Sequence, residues 1–264
     1  MALKVGVIGA SGKMGKTICQ SIIQEDGLEL TAAFDPKNQG QDIGLLVNGR
    51  ENGVLIAKRI EDMLDKQTVD VIVDFTVAKA ATENIPKVLK AGINLVVGTT
   101  GIGDEEWAEF DKLAKENNVG LFFAANYAIG AVLMMQFAEQ AAKYLPDVEV
   151  IELHHDQKLD APSGTAVTTL KRMAAVRGEK IQGNPDEYEK IPGARGGNYA
   201  GMHVHSVRLP GYVAHQGVIF GGVGQTLTIR HDSISRESFM PGVMLAIKKV
   251  VTFQGLVRDL DNIM

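Results

Sequence analysis

The chain has 264 residues, 45% of them hydrophobic and 22% charged, and a formal net charge of −5. That length and balance suit one large or two modest globular domains. The lack of a concentrated Lys/Arg block argues against nucleic-acid binding. A single cysteine, Cys19, leaves no intramolecular disulfide and fits a reducing cytoplasm. No apolar run is long enough to cross a bilayer, and the first one, interrupted by Lys4, is too short for a signal peptide. The expectation is a cytoplasmic protein that engages neither membrane nor nucleic acid.

Residues 3–8 form a β-branched run of the kind found in buried parallel strands. The run enters Gly9-Ala10-Ser11-Gly12-Lys13-Met14-Gly15, after which residues 16–24 have a helical pattern. Strand, glycine turn and helix are the setting in which such a turn cradles a dinucleotide pyrophosphate. The spacing is G-x-x-G-x-x-G, with Ala10 where the strict fingerprint has glycine, so the motif alone is weak. A second strand over 28–34 ends at Asp35, twenty residues past Gly15, where an acid commonly binds the adenosine ribose of NAD. Lys37, two residues on, can meet the 2′-phosphate of NADP, so NADH and NADPH are both expected.

The alternation continues with a polar loop over 48–53, a short strand over 54–57 and a short helix over 60–66. A strand over 69–75 ends at Phe75-Thr76, and a helix over 78–91 contains Pro86. A strand over 94–97 ends at Gly98-Thr99-Thr100, a helix spans 104–117, and a strand over 119–126 ends at Ala125-Asn126-Tyr127. Strands alternating with helices predict a Rossmann-type parallel sheet whose ligand lies beyond the carboxyl ends of the strands. Each of these three strand ends is a candidate cofactor contact.

The pattern changes near residue 126. A helix over 130–144 and a strand over 147–155 lead into Glu152-Leu-His154-His155-Asp-Gln-Lys158-Leu-Asp160-Ala-Pro162-Ser163-Gly164-Thr165-Ala166. Imidazoles exchange protons near neutral pH, and a Ser-Gly-Thr helix start offers N–H groups to an anion. Residues 164–177 then form a helix, and 182–200 a Gly/Pro-rich loop. Strands over 202–209, 212–220 and 225–231 predict an antiparallel meander. Val213, Val218, Ile219, Leu227 and Ile229 would give it an apolar surface suited to a symmetric homo-oligomer. A helix over 238–252 closes the pattern. The expected organisation is a dinucleotide domain over 1–126, with 236–264 packing back on it, and an α+β substrate and oligomerisation domain over 127–235.

The stretch from Glu152 to Ala166 closely resembles the signature of bacterial dihydrodipicolinate reductases. The glycine turn, Asp74-Phe-Thr76, Gly98-Thr-Thr-Gly101 and Asn126-Tyr127 follow in that family's order and spacing. The resemblance implies a homotetrameric, NADH- or NADPH-dependent reductase acting on a small cyclic dicarboxylate in the diaminopimelate route to lysine. It implies His154 as the acid/base residue and Lys158 as the second proton donor. It also implies His155 and Ser163-Gly164-Thr165 as substrate contacts. Ala128 and Ile102 stand where Ser and Phe would fit as readily, and Lys37 replaces an arginine, which weakens any expectation of strict NADPH selectivity. In a regular strand His154 and His155 would face opposite sides. A metal-dependent hydrolase using His154, His155 and Asp156, and a non-catalytic dinucleotide-sensing module, are the competing readings.

Overall fold

The computed structural model describes residues 2–65 and 67–264. The chain divides into two compact units: Met1–Tyr127 together with Phe239–Met264, and Ala128–Ser238. The first run of elements is β1 (Leu3–Ile8), α1 (Lys13–Gln24), β2 (Leu28–Phe34), α2 (Ile43–Asn48), β3 (Ile56–Ala57), β4 (Val71–Asp74), α3 (Ala78–Lys90), β5 (Asn94–Val97), α4 (Asp104–Glu116) and β6 (Gly120–Phe123). The second unit holds α5 (Ile129–Ala142), β7 (Asp147–His154), α6 (Gly164–Arg177), β8 (Gly197–Tyr199), β9 (Met202–Arg208), β10 (Ala214–Gly222) and β11 (Gln225–Ser233). The chain then returns to the first unit with α7 (Met240–Val250) and β12 (Gly255–Arg258).

The first unit is built on a seven-stranded sheet in the order β12-β6-β5-β4-β1-β2-β3, with every pairing parallel. The apolar runs of β1, β4, β5 and β6 explain this arrangement. Val5, Val7, Val71, Ile72, Val73, Leu95, Val96, Leu121 and Phe122 are all fully buried, so both faces need cover. On one face, residues of α3 and α4 such as Ile85, Leu89, Trp107 and Phe110 close a core with Ile72, Leu95 and Leu121. Each large side chain removed from water there contributes about 1.5–3 kcal/mol. Strand order reverses between β1 and β4, which places a crevice outside the carboxyl ends of those two strands.

Several expected elements differ. Helix α1 begins at Lys13, three residues early, because Gly12 with extended φ and ψ already serves as its N-cap. Part of the stretch before residue 49 is helical (α2), since the Asp42 carboxylate accepts from the Gly44 and Leu45 N–H groups and nucleates a turn. The helix expected over 60–66 is a 3₁₀ turn, Ile60–Met63, and position 66 lies outside the described residues. Strand β12, paired with β6, was not expected at all.

In the second unit the sheet order is β11-β10-β7-β9-β8. Strands β10 and β11 form the expected hairpin, but β9 is not part of a meander. It pairs in parallel with β7, which separates it from β10. Short connections suggested neighbouring strands, yet Leu209 reaches only as far as the His154 carbonyl before the chain passes on. The apolar set proposed for one surface is also divided by the pleat. Val218 is fully buried beside Val150, while Ile219, one residue on, points to the opposite face and Leu227 is 41% exposed.

Candidate active site

In the first unit the crevice is lined by turns rather than by helices or strands. Gly9 has φ +78°, a conformation favouring glycine, and a Cβ there would meet Thr76 Cγ2 at 2.9 Å. Its carbonyl accepts from the Gly12 N–H at 3.0 Å, which closes the turn. No side chain caps α1 at Gly12, so the first N–H groups of the helix, at Lys13 and Met14, face outward with the positive end of the dipole. Ala10 is buried and its N–H, like that of Gly9, donates to the Phe34 carbonyl. Asp35 sits just past β2, where its carboxylate accepts from the Ser11 N–H at 3.0 Å and the Lys37 N–H at 2.8 Å. The Ser11 hydroxyl donates to the Lys37 carbonyl. Gly9 to Met14, Asp35 and Lys37 therefore form one connected rim, with the Lys37 side chain exposed.

The neighbouring strand ends are organised by Asp74. This fully buried carboxylate accepts from the Thr76 N–H at 2.9 Å, the Thr76 hydroxyl at 2.6 Å, Asn84 at 3.2 Å and Thr99 at 3.4 Å. Burial raises its pKa, and the four hydrogen bonds offset that only in part. Phe75 lies over Gly98, where a Cβ would fall 2.2 Å from the ring. The same ring packs at 5.1 Å on Tyr127. The buried Tyr127 hydroxyl donates to the Val97 carbonyl at 2.7 Å, and burial holds the phenol well above its ordinary pKa. Tyr127 thus braces the site and has no spare proton to give. Thr100 and Ala125 are exposed beside it, and Asn126 is half-buried.

In the second unit, Glu152 and His154 share the face of β7 that carries the buried Val148 and Val150. Strand β7 ends at His154, so His155 belongs to the exposed loop that follows and escapes the alternation. The loop turns through Lys158 N–H to His155 carbonyl at 3.2 Å, and the Lys158 ammonium sits 2.7 Å from the Asp160 carboxylate. It reaches α6 through a cis Ala161–Pro162 bond. Ser163 then caps α6, its hydroxyl oxygen accepting from the Ala166 N–H at 3.2 Å. Gly164 opens on empty space, with nothing within 4 Å of an added Cβ. Thr165 follows, half-buried in the first turn.

Glu152 and Arg208 received no role from the sequence. The Glu152 carboxylate, 0% exposed, is gripped by Arg208 at 2.7 and 3.0 Å and bonds His154 Nδ1. Burial alone would raise its pKa, but His154, Arg208 and Ser206 outweigh it and lower the carboxyl to about 2. An acid on the apolar face of a strand was the available signal, since a buried carboxylate needs a cation. Among the described residues, no group of three or more His, Cys, Asp or Glu is arranged to hold a metal ion.

A parallel sheet with a glycine turn at its switch point, joined to a unit presenting imidazole, ammonium and a helix N-terminus, defines a dinucleotide-dependent oxidoreductase. Comparison with known proteins narrows the class. The N-terminal dihydrodipicolinate reductase model matches residues 3–127, and the C-terminal model matches residues 130–264. The chain belongs to the dihydrodipicolinate reductase family of NAD(P)H-dependent oxidoreductases. It is 50% identical over 261 residues, 98% of each chain, to a 4-hydroxy-tetrahydrodipicolinate reductase of Desulfitobacterium hafniense. It is 51% identical, over 99% of each chain, to one of Halalkalibacterium halodurans. A dihydrodipicolinate reductase from Paenisporosarcina sp. TG-14, solved with dipicolinate bound, superposes over 100% of both chains with a TM-score of 0.89 at 43% identity. An amine dehydrogenase from Mycobacterium smegmatis shares the fold, with a TM-score of 0.68 at 18% identity over 97% of this chain and 95% of its own.

Proposed function

We infer that the chain reduces 4-hydroxy-tetrahydrodipicolinate, through the dihydrodipicolinate-type imine, to tetrahydrodipicolinate for lysine and diaminopimelate synthesis. One observation carries the site assignment. A single stretch, residues 152–166, ends a strand on His154 and opens α6 on Ser163, so proton donors and anion-binding N–H groups come from one loop.

The residues present fit the dinucleotide. The uncapped start of α1 and the Gly9–Gly12 turn receive the pyrophosphate, Asp35 the adenosine ribose, and Lys37 a 2′-phosphate where one is present. Ala10, Ser11, Lys13 and Met14 belong to this cradle, and Phe75, Thr76, Gly98, Thr99, Thr100, Ala125, Asn126 and Tyr127 line the adjoining strand ends. When bound, NADH or NADPH supplies a hydride to the conjugated imine.

The second unit's residues do the rest. Ser163, Gly164 and Thr165 hold one substrate carboxylate at the start of α6, and His155 meets the dicarboxylate from the loop. Lys158 places positive charge beside the electron density left by hydride addition and provides a proton; His154 acts as the acid/base residue. Dipicolinate, the planar dicarboxylate bound in the Paenisporosarcina relative, is expected to occupy the same place. The protein works in the cytoplasm as a homotetramer, a reading supported by the half-exposed second sheet. The test is direct: enzymatically generated substrate is mixed with NADH or NADPH and absorbance followed. Loss of reduced cofactor is expected, and its absence with both cofactors would overturn the assignment.

A further inference from the structure

We propose that Glu152 is a positioning residue for His154, fixing its ring tautomer and the charge it can carry, with Arg208 setting how much of the Glu152 charge His154 feels. The inference rests on the acid/base role of His154 and deepens it.

The argument begins with an expensive placement. Glu152 is fully buried on a strand face that also carries Val148, Val150 and His154, where an apolar side chain would pack without any desolvation cost. A buried ion pair is a poor source of stability compared with apolar packing, and this one is not perfectly satisfied. Arg208 Nε is buried without a hydrogen-bond partner among the described residues. The arrangement does secure something else. His154 Nδ1 is engaged by Glu152 Oε2, and an ionised carboxylate can only accept, so Nδ1 carries the hydrogen. Proton exchange is thereby assigned to Nε2 in both charge states of the ring.

Arg208 completes the device. Register places it beside His154 on the adjacent parallel strand, and its guanidinium takes both Glu152 oxygens. Its NH2 group also donates to the Asp160 carbonyl at 2.7 Å, in the loop that carries Lys158. One guanidinium thus connects the carboxylate behind His154 to the backbone behind Lys158. The surrounding groups are few. Strand β9 contributes Arg208 and Ser206, while β10 contributes the uncharged Gln216, whose amide donates to Thr169 of α6 at 2.8 Å. The loop contributes Lys158, paired with Asp160, and Asp160 feels Arg208 as well.

The two partners act on the His154 imidazolium with opposite signs, which separates positioning from mere support. Glu152→Gln removes the negative charge that favours the imidazolium. The alkaline limb of the kcat profile should move to lower pH by about one unit. Arg208→Gln leaves Glu152 uncompensated, and the same limb should move to higher pH. In Glu152→Gln, kcat should fall roughly 10- to 100-fold while the dissociation constant for NADH stays unchanged. A third comparison uses His154→Ala. In that background Glu152→Gln should lower kcat no further, since its effect passes through the imidazole. If His154→Ala keeps full activity, the underlying acid/base assignment fails. If His154→Ala is impaired but both substitutions shift the limb the same way, or their losses multiply with that of His154→Ala, the positioning role of Glu152 is refuted. Should Glu152→Gln not fold, Arg208→Gln decides alone: an unmoved or lowered limb overturns the proposal.

Discussion

Replacing Gly15 by alanine tests the cofactor cradle most sharply. A Cβ at Gly15 would lie 2.0 Å from the Gly9 carbonyl oxygen, 2.7 Å from its carbon and 2.8 Å from Ala10 Cα. All three are backbone atoms, so no side chain can swing aside. Ordinary contact begins at 3.4 Å, and the turn and α1 must therefore part by about 1.4 Å. The Gly9 carbonyl cannot make that move and keep its bond to the Gly12 N–H. Overpacking of this kind costs about 1–3 kcal/mol of stability. A misplacement of about an ångström in a positioning element costs on the order of 100-fold, close to 2.7 kcal/mol. NADH affinity, measured by fluorescence titration, should fall about that much in Gly15→Ala, while binding of dipicolinate at the site proposed in the second unit should stay near wild type. An NADH dissociation constant within about threefold of wild type, with an unchanged melting temperature, would refute the reasoning.

Other substitutions separate the remaining roles. Lys158→Ala should lower kcat by about 10²–10⁴ with cofactor affinity intact, and equal loss of both would contradict its place as a proton donor. Lys37→Ala should weaken NADPH about tenfold and NADH by less than about twofold; calorimetric titration of both cofactors distinguishes this from a general loss. The Glu152 carboxyl, lowered from 4.5 to about 2, contributes stability that is fully present above its ordinary value and lost as pH falls through 2. That contribution is roughly 3 kcal/mol, so the stability gap between wild type and Glu152→Gln should shrink between pH 4.5 and 2 in urea unfolding. A gap independent of pH would show that the carboxylate is not ionised as described.

The sequence made local features plain and non-local ones obscure. Strand β1 and the glycine turn are written in consecutive residues and Asp35 closes the next strand, because a buried parallel strand and a tight strand-to-helix turn each impose their own spacing. The residues from Glu152 to Ala166 were legible for the same reason, down to the Ser163 cap. The strand alternation that would have set His155 opposite His154 does not apply, because β7 stops one residue before it. What escaped detection depends on pairing across the chain. Strand β12 is four residues long and finds its partner β6 more than a hundred residues earlier. The insertion of β7 between β9 and β10 defeats any inference from short connections. Arg208 looks like an ordinary strand-end cation until the register sets it against His154. Asp74 was quoted only as part of a motif, and its bonds from Asn84 and Thr99 appear only once α3 and the end of β5 are brought beside it.

The return of the chain to its first unit has a consequence for synthesis. The chain leaves that unit after Tyr127, and α7 later seats so closely on the Tyr127 carbonyl that a Cβ at Gly242 would lie 2.1 Å from it. As the protein emerges from the ribosome, six strands of the first sheet are available early, but the β6 edge stays open until β12 is made. The whole second unit emerges during that wait. An unpaired, fully apolar strand edge is prone to the wrong partner. The nascent chain is therefore most vulnerable while its second half is still being translated.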